Sequence, residues 1–270
     1  MPAHQIISLL KLLIVNADDF GFTHDVNAGI IHCHTHGILR ATTLMANGSA
    51  FDDAVRLARL NPSLDIGCHL VLIQGRSILT GAELPKNWKQ LLAAVISRQI
   101  NPYRELRAQV EKIVAAGLRP SHLDTHKHTH VLPAVLSAVI RLAHEFEIPF
   151  IRLPFDAGWR AVHWLDRYGR AKLAQANVRS TDHFLGFRLT DELTEENLLR
   201  TISNLPAGST EFMCHPGYLG PELSQAETRL KQTRQRELEA LTSPTTKSRI
   251  DEHQIVLTTF RDLPLAEPRP

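Results

Sequence analysis

Cysteine is scarce: Cys33, Cys68 and Cys214 are the only three in 270 residues. They are too few and too scattered for a disulfide framework, which fits a reducing cytosol. Charge of one sign is also lacking, since the formal net charge is +2 and no long basic run occurs. Nucleic acid is therefore not an expected partner. No G-x-G-x-x-G or P-loop pattern follows any expected strand, which removes the best signal for a bound nucleotide. Nor is there an apolar run of membrane length. Residues 6–15 come nearest, but Lys11 interrupts them, no basic start precedes them, and Asn16-Ala-Asp-Asp19 follows in place of a small-residue cleavage site. Residues 1–10 read as a short extension before the first strand of a cytoplasmic protein with no stable membrane insertion.

What is present is bulk. Hydrophobic residues make up 43% of the chain, enough for one large core. The apolar run 12–15, closed by Asp18, Asp19 and Gly21, has the length and bounds of a strand buried on both faces. A helix from Thr23 or Asp25 to about 36 follows, ended by Gly37. Further strands are expected at 39–45, 64–70, 120–126, 149–154, 209–215 and 255–260. Helices are expected at 50–60, about 88–116, from Pro133, at 193–205 with a start at Thr190-Asp-Glu-Leu193, and at about 222–241. Residues 156–179 form a basic amphipathic stretch holding Trp159, Trp164 and Tyr168, read as a core or subunit contact, with a lid or a platform for a lipid-linked sugar as the alternative. Strands alternating with helices imply parallel pairing with crossover helices. The expected fold is α/β, a TIM-like (β/α) barrel, irregular or seven-stranded, spanning residues 1–270 as one domain.

Four expected strand ends carry chemistry: Asp18 and Asp19, His69, the Asp124-Thr-His126-Lys-His128-Thr-His130 segment, and His215. In a parallel barrel these ends open on one face. A carboxylate and two imidazoles with open positions suit Zn²⁺ or another divalent ion. Two adjacent carboxylates raise one another's pKa unless a cation intervenes, so one aspartate is expected to hold the metal and the other to stay free as a base. Spacing alone leaves His126 and His128 open as ligands. If the second cluster ends a strand, its alternate residues share a face, which puts His128 and His130 in reach of a substrate, with support of the ligands from behind or a surface place as the alternative. His32-Cys-His-Thr-His36 shows the same alternation but falls on a helix end, where such residues diverge; it reads as a solvated terminus near the negative pole of the helix dipole. Arg152 could pair with Asp18 and orient it, or form a surface ion pair. Asp124 could orient an imidazole. Cys68 and Cys214 fall on the packing face.

Asn16-Ala-Asp-Asp-Phe-Gly21, Gly67-Cys-His-Leu70, His122-Leu-Asp-Thr-His-Lys-His-Thr-His130 and Met213-Cys-His-Pro216, in that order, resemble the YdjC-like carbohydrate deacetylases. The likeness runs over about residues 11–262. Leu72-Ile-Gln-Gly-Arg76, Asp182-His-Phe-Leu-Gly186 and His215-Pro-Gly-Tyr218 look closest to the branch associated with hopanoid biosynthesis. The resemblance implies removal of acetyl from an acetylated sugar by one divalent ion, Zn²⁺ or Mg²⁺ with Mn²⁺ as a third choice. By motif position the metal ligands are Asp19, His69 and His126, the general base is Asp18 and the general acid is His215. Thr125 and Lys127 stand where relatives often carry Ser and His, and neither is a proposed ligand. Two rival readings are a phosphoesterase with a His-rich barrel site and a non-catalytic carbohydrate- or metal-binding protein. A homodimer is allowed for on frequency alone.

Overall fold

The computed structural model describes residues 10–155 and 163–263. Trp159 lies outside them. The first strand, β1 (Lys11–Phe20), is the axis of the sheet. Along one edge it pairs with β7 (Gly208–Cys214) from Lys11 to Ala17. Its other edge is shared, with β8 (Ile255–Leu257) against Lys11–Leu13 and β2 (Ala41–Leu44) against Asn16 onward. With β3 (Asp65–Leu70), β4 (His122–Thr125), β5 (Phe150–Ile151) and β6 (His183–Leu185), the order is β5-β4-β3-β2-β1-β7-β6. Every named pair is parallel. Just upstream of β6, Arg179 bridges Phe150 of β5, so the curled sheet comes round on itself as an irregular, largely seven-stranded (β/α) barrel, as expected.

Period-two alternation sorts the β1 side chains. Leu13, Val15 and Ala17 face the outer core beneath the helices. Leu12 and Ile14 face inward, where they meet Ala41, Phe150, Phe260 and Leu263. Asn16 and Asp18 continue that inward row toward the C-terminal mouth. Phe260, just past β8, fills the opposite end: its ring stacks on His122 at 3.8 Å and meets Phe150 edge-on at 5.5 Å. His122 can stand inside only because Gly67 faces it, as a Cβ there would lie 2.5 Å from the ring.

The helices are α1 (His24–His36), α2 (Phe51–Leu60), α3 (Trp88–Ile96), α4 (Pro102–Ala115), α5 (Pro133–Glu145), α6 (His163–Gln175), α7 (Glu195–Ser203), α8 (Pro221–Gln225), α9 (Gln232–Thr242) and α10 (Pro244–Glu252). Thr23 caps α1, its hydroxyl accepting the Val26 N–H. Three expectations need correction. The helix expected over 88–116 is two, because Asn101 caps and Pro102 opens a second. The helix expected over 222–241 breaks into α8 and α9, with α10 following from the Ser243-Pro244 cap. Helix α7 starts at Glu195, two residues after the expected Leu193, and its cap is Thr194 instead of Thr190. The three-residue β6 was not expected at all. Among the described residues no helix is long and apolar enough to cross a membrane.

Phe260 is 2% exposed, and its loss would leave a void between His122 and Phe150. Phe260→Ala should cost about 3–5 kcal/mol, read as a lower urea midpoint with an unchanged slope.

Candidate active site

Consecutive strand residues point to opposite faces, yet Asp18 and Asp19 both serve the barrel mouth. The β1–β2 register shifts between Ala17 and Phe20, and Asp19 adopts φ 70°. Aspartate tolerates this left-handed conformation better than most residues. The bulge turns the Asp19 carboxylate over the end of β3, while Asp18 keeps its inward place.

Asp18 is gripped from below. Its two oxygens accept from Arg152 Nη1 and Nη2 at 2.7 Å each. The same guanidinium reaches Asp124 at 2.5 Å and donates from Nε to Glu211 at 2.8 Å. All four side chains are buried. Burial alone would push the Asp18 pKa up, but the Arg152 guanidinium holds it well below the usual carboxylate range. Glu211 goes the other way, pushed up to about 7 by burial that Arg152 only partly offsets. Asn16 donates to Asp18 at 3.1 Å. The Thr43 hydroxyl lies 3.2–3.3 Å from Asp18, His69 and Asp124.

Three donors converge above. His69 Nδ1 is 2.8 Å from Asp124 Oδ1, a contact that in the neutral ring favours the proton on Nδ1 and leaves Nε2 facing outward as the donor atom a cation would use. Nε2 lies 3.3 Å from Asp19 Oδ1 and 3.2 Å from His126 Nδ1, and His126 Nδ1 is 3.4 Å from Asp19 Oδ1. A tetrahedral ion with bonds of about 2.0–2.1 Å has ligand–ligand edges of about 3.3–3.4 Å, so the triangle matches one face of such a site. Asp19 Oδ1 is buried with no hydrogen-bond partner, which leaves it free for a cation. Asp19, His69 and His126 thus form a group that could bind a metal. Asp18, His69 and Asp124 are also close together, but Arg152 already occupies both carboxylates and a second cation would have to displace it.

His215, just past β7, has Nε2 4.0 Å from Asp18 Oδ2. Burial pushes its pKa down to about 4 against the pull of Asp18 and Asp19, so the ring is neutral near neutral pH. Its backbone N–H donates to Glu237 at 2.5 Å. Over these groups opens a cleft of about 1520 Å³, with Asp19, His126 and His215 in its floor and Phe22, Trp88, Leu165 and Phe187 among its walls.

The profile of the family described as YdjC-like protein matches residues 12–252. The chain belongs to the YdjC-like protein family. It is 36% identical over 259 residues to a carbohydrate deacetylase of Brevibacillus brevis (strain 47), covering 93% of this chain and 99% of the relative. It is 33% identical over 266 residues to a chitooligosaccharide deacetylase of Serratia marcescens, covering 94% and 99%. A crystal structure from Enterococcus faecalis V583, of a protein named for cellobiose-phosphate cleavage, superposes with a TM-score of 0.79 at 28% identity, covering 95% of this chain and 100% of that one.

In this YdjC-like chain Asp18, Asp19, His69, His126, His215 and Arg152 come together. Arg152 is a buried partner of Asp18, not a surface ion pair. Of the other two histidines of the second cluster, only His130 needs correction. The segment His126–Val131 kinks, with Lys127 and His128 at positive, non-helical φ, so strand alternation does not apply. His128 still lines the cleft, its ring 5.2 Å from that of Phe187. His130 does not serve the substrate side: it is buried, with Nδ1 2.6 Å from Thr125 Oγ1 and Nε2 2.8 Å from the Arg152 carbonyl. The His32 and His36 rings stack on each other at 4.5 Å on the end of α1. Sequence reasoning passed over Arg234, whose Nη2 donates to Asp19 Oδ2, as well as Glu237, Glu211 and Thr43. The signal for two of them was the i, i+3, i+4, i+7 set Arg234, Glu237, Leu238 and Leu241, which is the buried face of α9.

The Asp18 and Asp19 carboxyls lie below their ordinary 3.8 in the folded protein. Their stabilising share is complete above that value and is lost as pH falls through the lower folded values. Arg152→Met leaves Asp18 with burial unopposed by its main partner. The variant should lose about 3–5 kcal/mol, and its acid unfolding followed by circular dichroism should begin at a higher pH.

Proposed function

We propose that this chain is a divalent-metal-dependent hydrolase that removes the N-acetyl group from an acetamido sugar, giving acetate and an amino sugar. One observation carries the reading: a three-donor group of Asp19, His69 and His126 with an unpartnered carboxylate oxygen, beside a second carboxylate held apart by Arg152. Relatives named for carbohydrate and chitooligosaccharide deacetylation support the sugar. Two nitrogen donors favour Zn²⁺, with Mg²⁺ and Mn²⁺ as alternatives. The bound ion would acidify water and polarise the acetamide carbonyl.

The chain's own groups then move the protons. Asp18 is the general base. A carboxylate held this low takes a proton only from a strongly acidified donor and gives it up readily. His215, neutral and 4.0 Å away, is placed to receive it and deliver it to the departing amine. Arg152 positions Asp18 without touching substrate, and His128 lines the sugar's approach. The apolar cleft walls suit either a chitooligosaccharide stacked on Trp88 or an N-acetylglucosamine linked to a hopanoid. Three buried, unpaired cysteines accord with a cytoplasmic setting.

Chelation should abolish acetate release, and Zn²⁺, Mg²⁺ or Mn²⁺ added singly should identify the ion that restores it. Asp18→Asn should keep its metal, measured by elemental analysis, and lose about 10²–10⁴-fold in turnover, whereas His126→Ala should lose the metal. Wild-type activity in Asp18→Asn sinks the base assignment. Phosphate in place of acetate released from a panel of acetylated and phosphorylated sugars favours a phosphoesterase, and binding without turnover in metal-replete protein favours a carbohydrate-binding role.

A further inference from the structure

The two oxygens of Asp19 have different surroundings. Oδ1 faces His69 and His126 and has no hydrogen-bond partner. Oδ2 is taken by Arg234 Nη2. Arg234 is 1% exposed and borders the cleft. Its Nε donates to the Leu230 carbonyl at 3.2 Å, which holds the guanidinium from behind, while Nη1 is buried without a hydrogen-bond partner. Its own carbonyl accepts the Gly217 N–H at 3.2 Å. One turn along the same helix, Glu237 takes the backbone N–H of His215. A single turn of α9 therefore braces both the end of β1 and the segment after β7.

A carboxylate beside a divalent ion binds through one oxygen or through both, and an oxygen already accepting a charge-assisted hydrogen bond is a poor second ligand. We propose that Arg234 is a positioning residue that restricts Asp19 to one-oxygen ligation, so that the ion keeps its remaining positions open for water and the substrate carbonyl. The residue touches neither reactant. Its positive charge also opposes the ion, so tight metal binding is exchanged for an open site. This inference rests on the metal reading above and adds to it a function for a residue outside the ligand set.

The test uses metal titration of the full-length protein, with no substrate needed. Co²⁺ is the probe, because its visible absorption weakens as coordination number rises. In wild type a strong, low-coordination spectrum is expected. Arg234→Met frees Oδ2 and removes a cation, so Co²⁺ should bind at least about tenfold more tightly, the visible band should weaken, and turnover on the best acetylated sugar should fall with KM little changed. Arg234→Lys keeps the charge and should fall between the two in affinity while retaining the wild-type spectrum. It also serves if the methionine variant does not fold. Unchanged Co²⁺ affinity and spectrum in a folded Arg234→Met, or weaker binding in both variants, overturns the proposal. Wild type that binds Co²⁺ but releases no acetate sinks the deacetylase reading and leaves this one standing. Wild type that binds no Co²⁺ sinks both.

Discussion

Carboxylates gathered at one barrel mouth must be neutralised, and two buried arginines divide that work. Arg152 takes Asp18, Asp124 and Glu211 from inside the barrel. Arg234 takes Asp19 from the surrounding helices. Each charge removed from water costs several kcal/mol unless it is paired and fully hydrogen-bonded, so neither arginine is optional once the carboxylates are there. The partition has a chemical meaning too. Asp18 is occupied on both oxygens, whereas Asp19 is occupied on one. Two neighbours of identical type are thereby made different by their cations, one with both oxygens held and the other with one oxygen left without a partner.

The same logic runs through the hydrogen bonds beneath. Asp124 holds His69 at Nδ1, and Thr43 stands among Asp18, His69 and Asp124. His122 and Asn16 pass the support down to the aromatic floor at Phe260. Packing at the closed end and polarity at the open end thus meet within one inward row of β1. The row is only four residues long, Leu12, Ile14, Asn16 and Asp18, and its change from apolar to polar marks the boundary between core and site.

Much of this was legible in the chain. Short segments ending in or near aspartate or histidine marked β1, β3, β4 and β7, of which only β1 opens on a continuous apolar run, and parallel alternation was enough to bring those ends together. What could not be read was local geometry that breaks a period. The left-handed Asp19 and the kink at Lys127 and His128 both defeat strand alternation, which is why a place at the substrate was offered for His130 when it lies buried beside Arg152. Pro102 and Pro244 did announce new helices, but continuous helical composition on both sides hid the breaks. Arg234 and Glu237 sit in a strongly charged helix, where polar residues ordinarily face water. Only their shared spacing with Leu238 and Leu241 betrays an inward face. Strand β6 is three residues long, too short for any period to show.

The sharing of one β1 edge between β2 and β8 bears on when the protein becomes competent. β1 carries both aspartates, yet its lower edge is completed only by residues 255–257, and the aromatic that seats the interior comes later still. Contacts so far apart in sequence form slowly. Residues as far along as Phe260 must therefore be synthesised before β1 is fully enclosed, and until then its paired acids lack the frame that holds them.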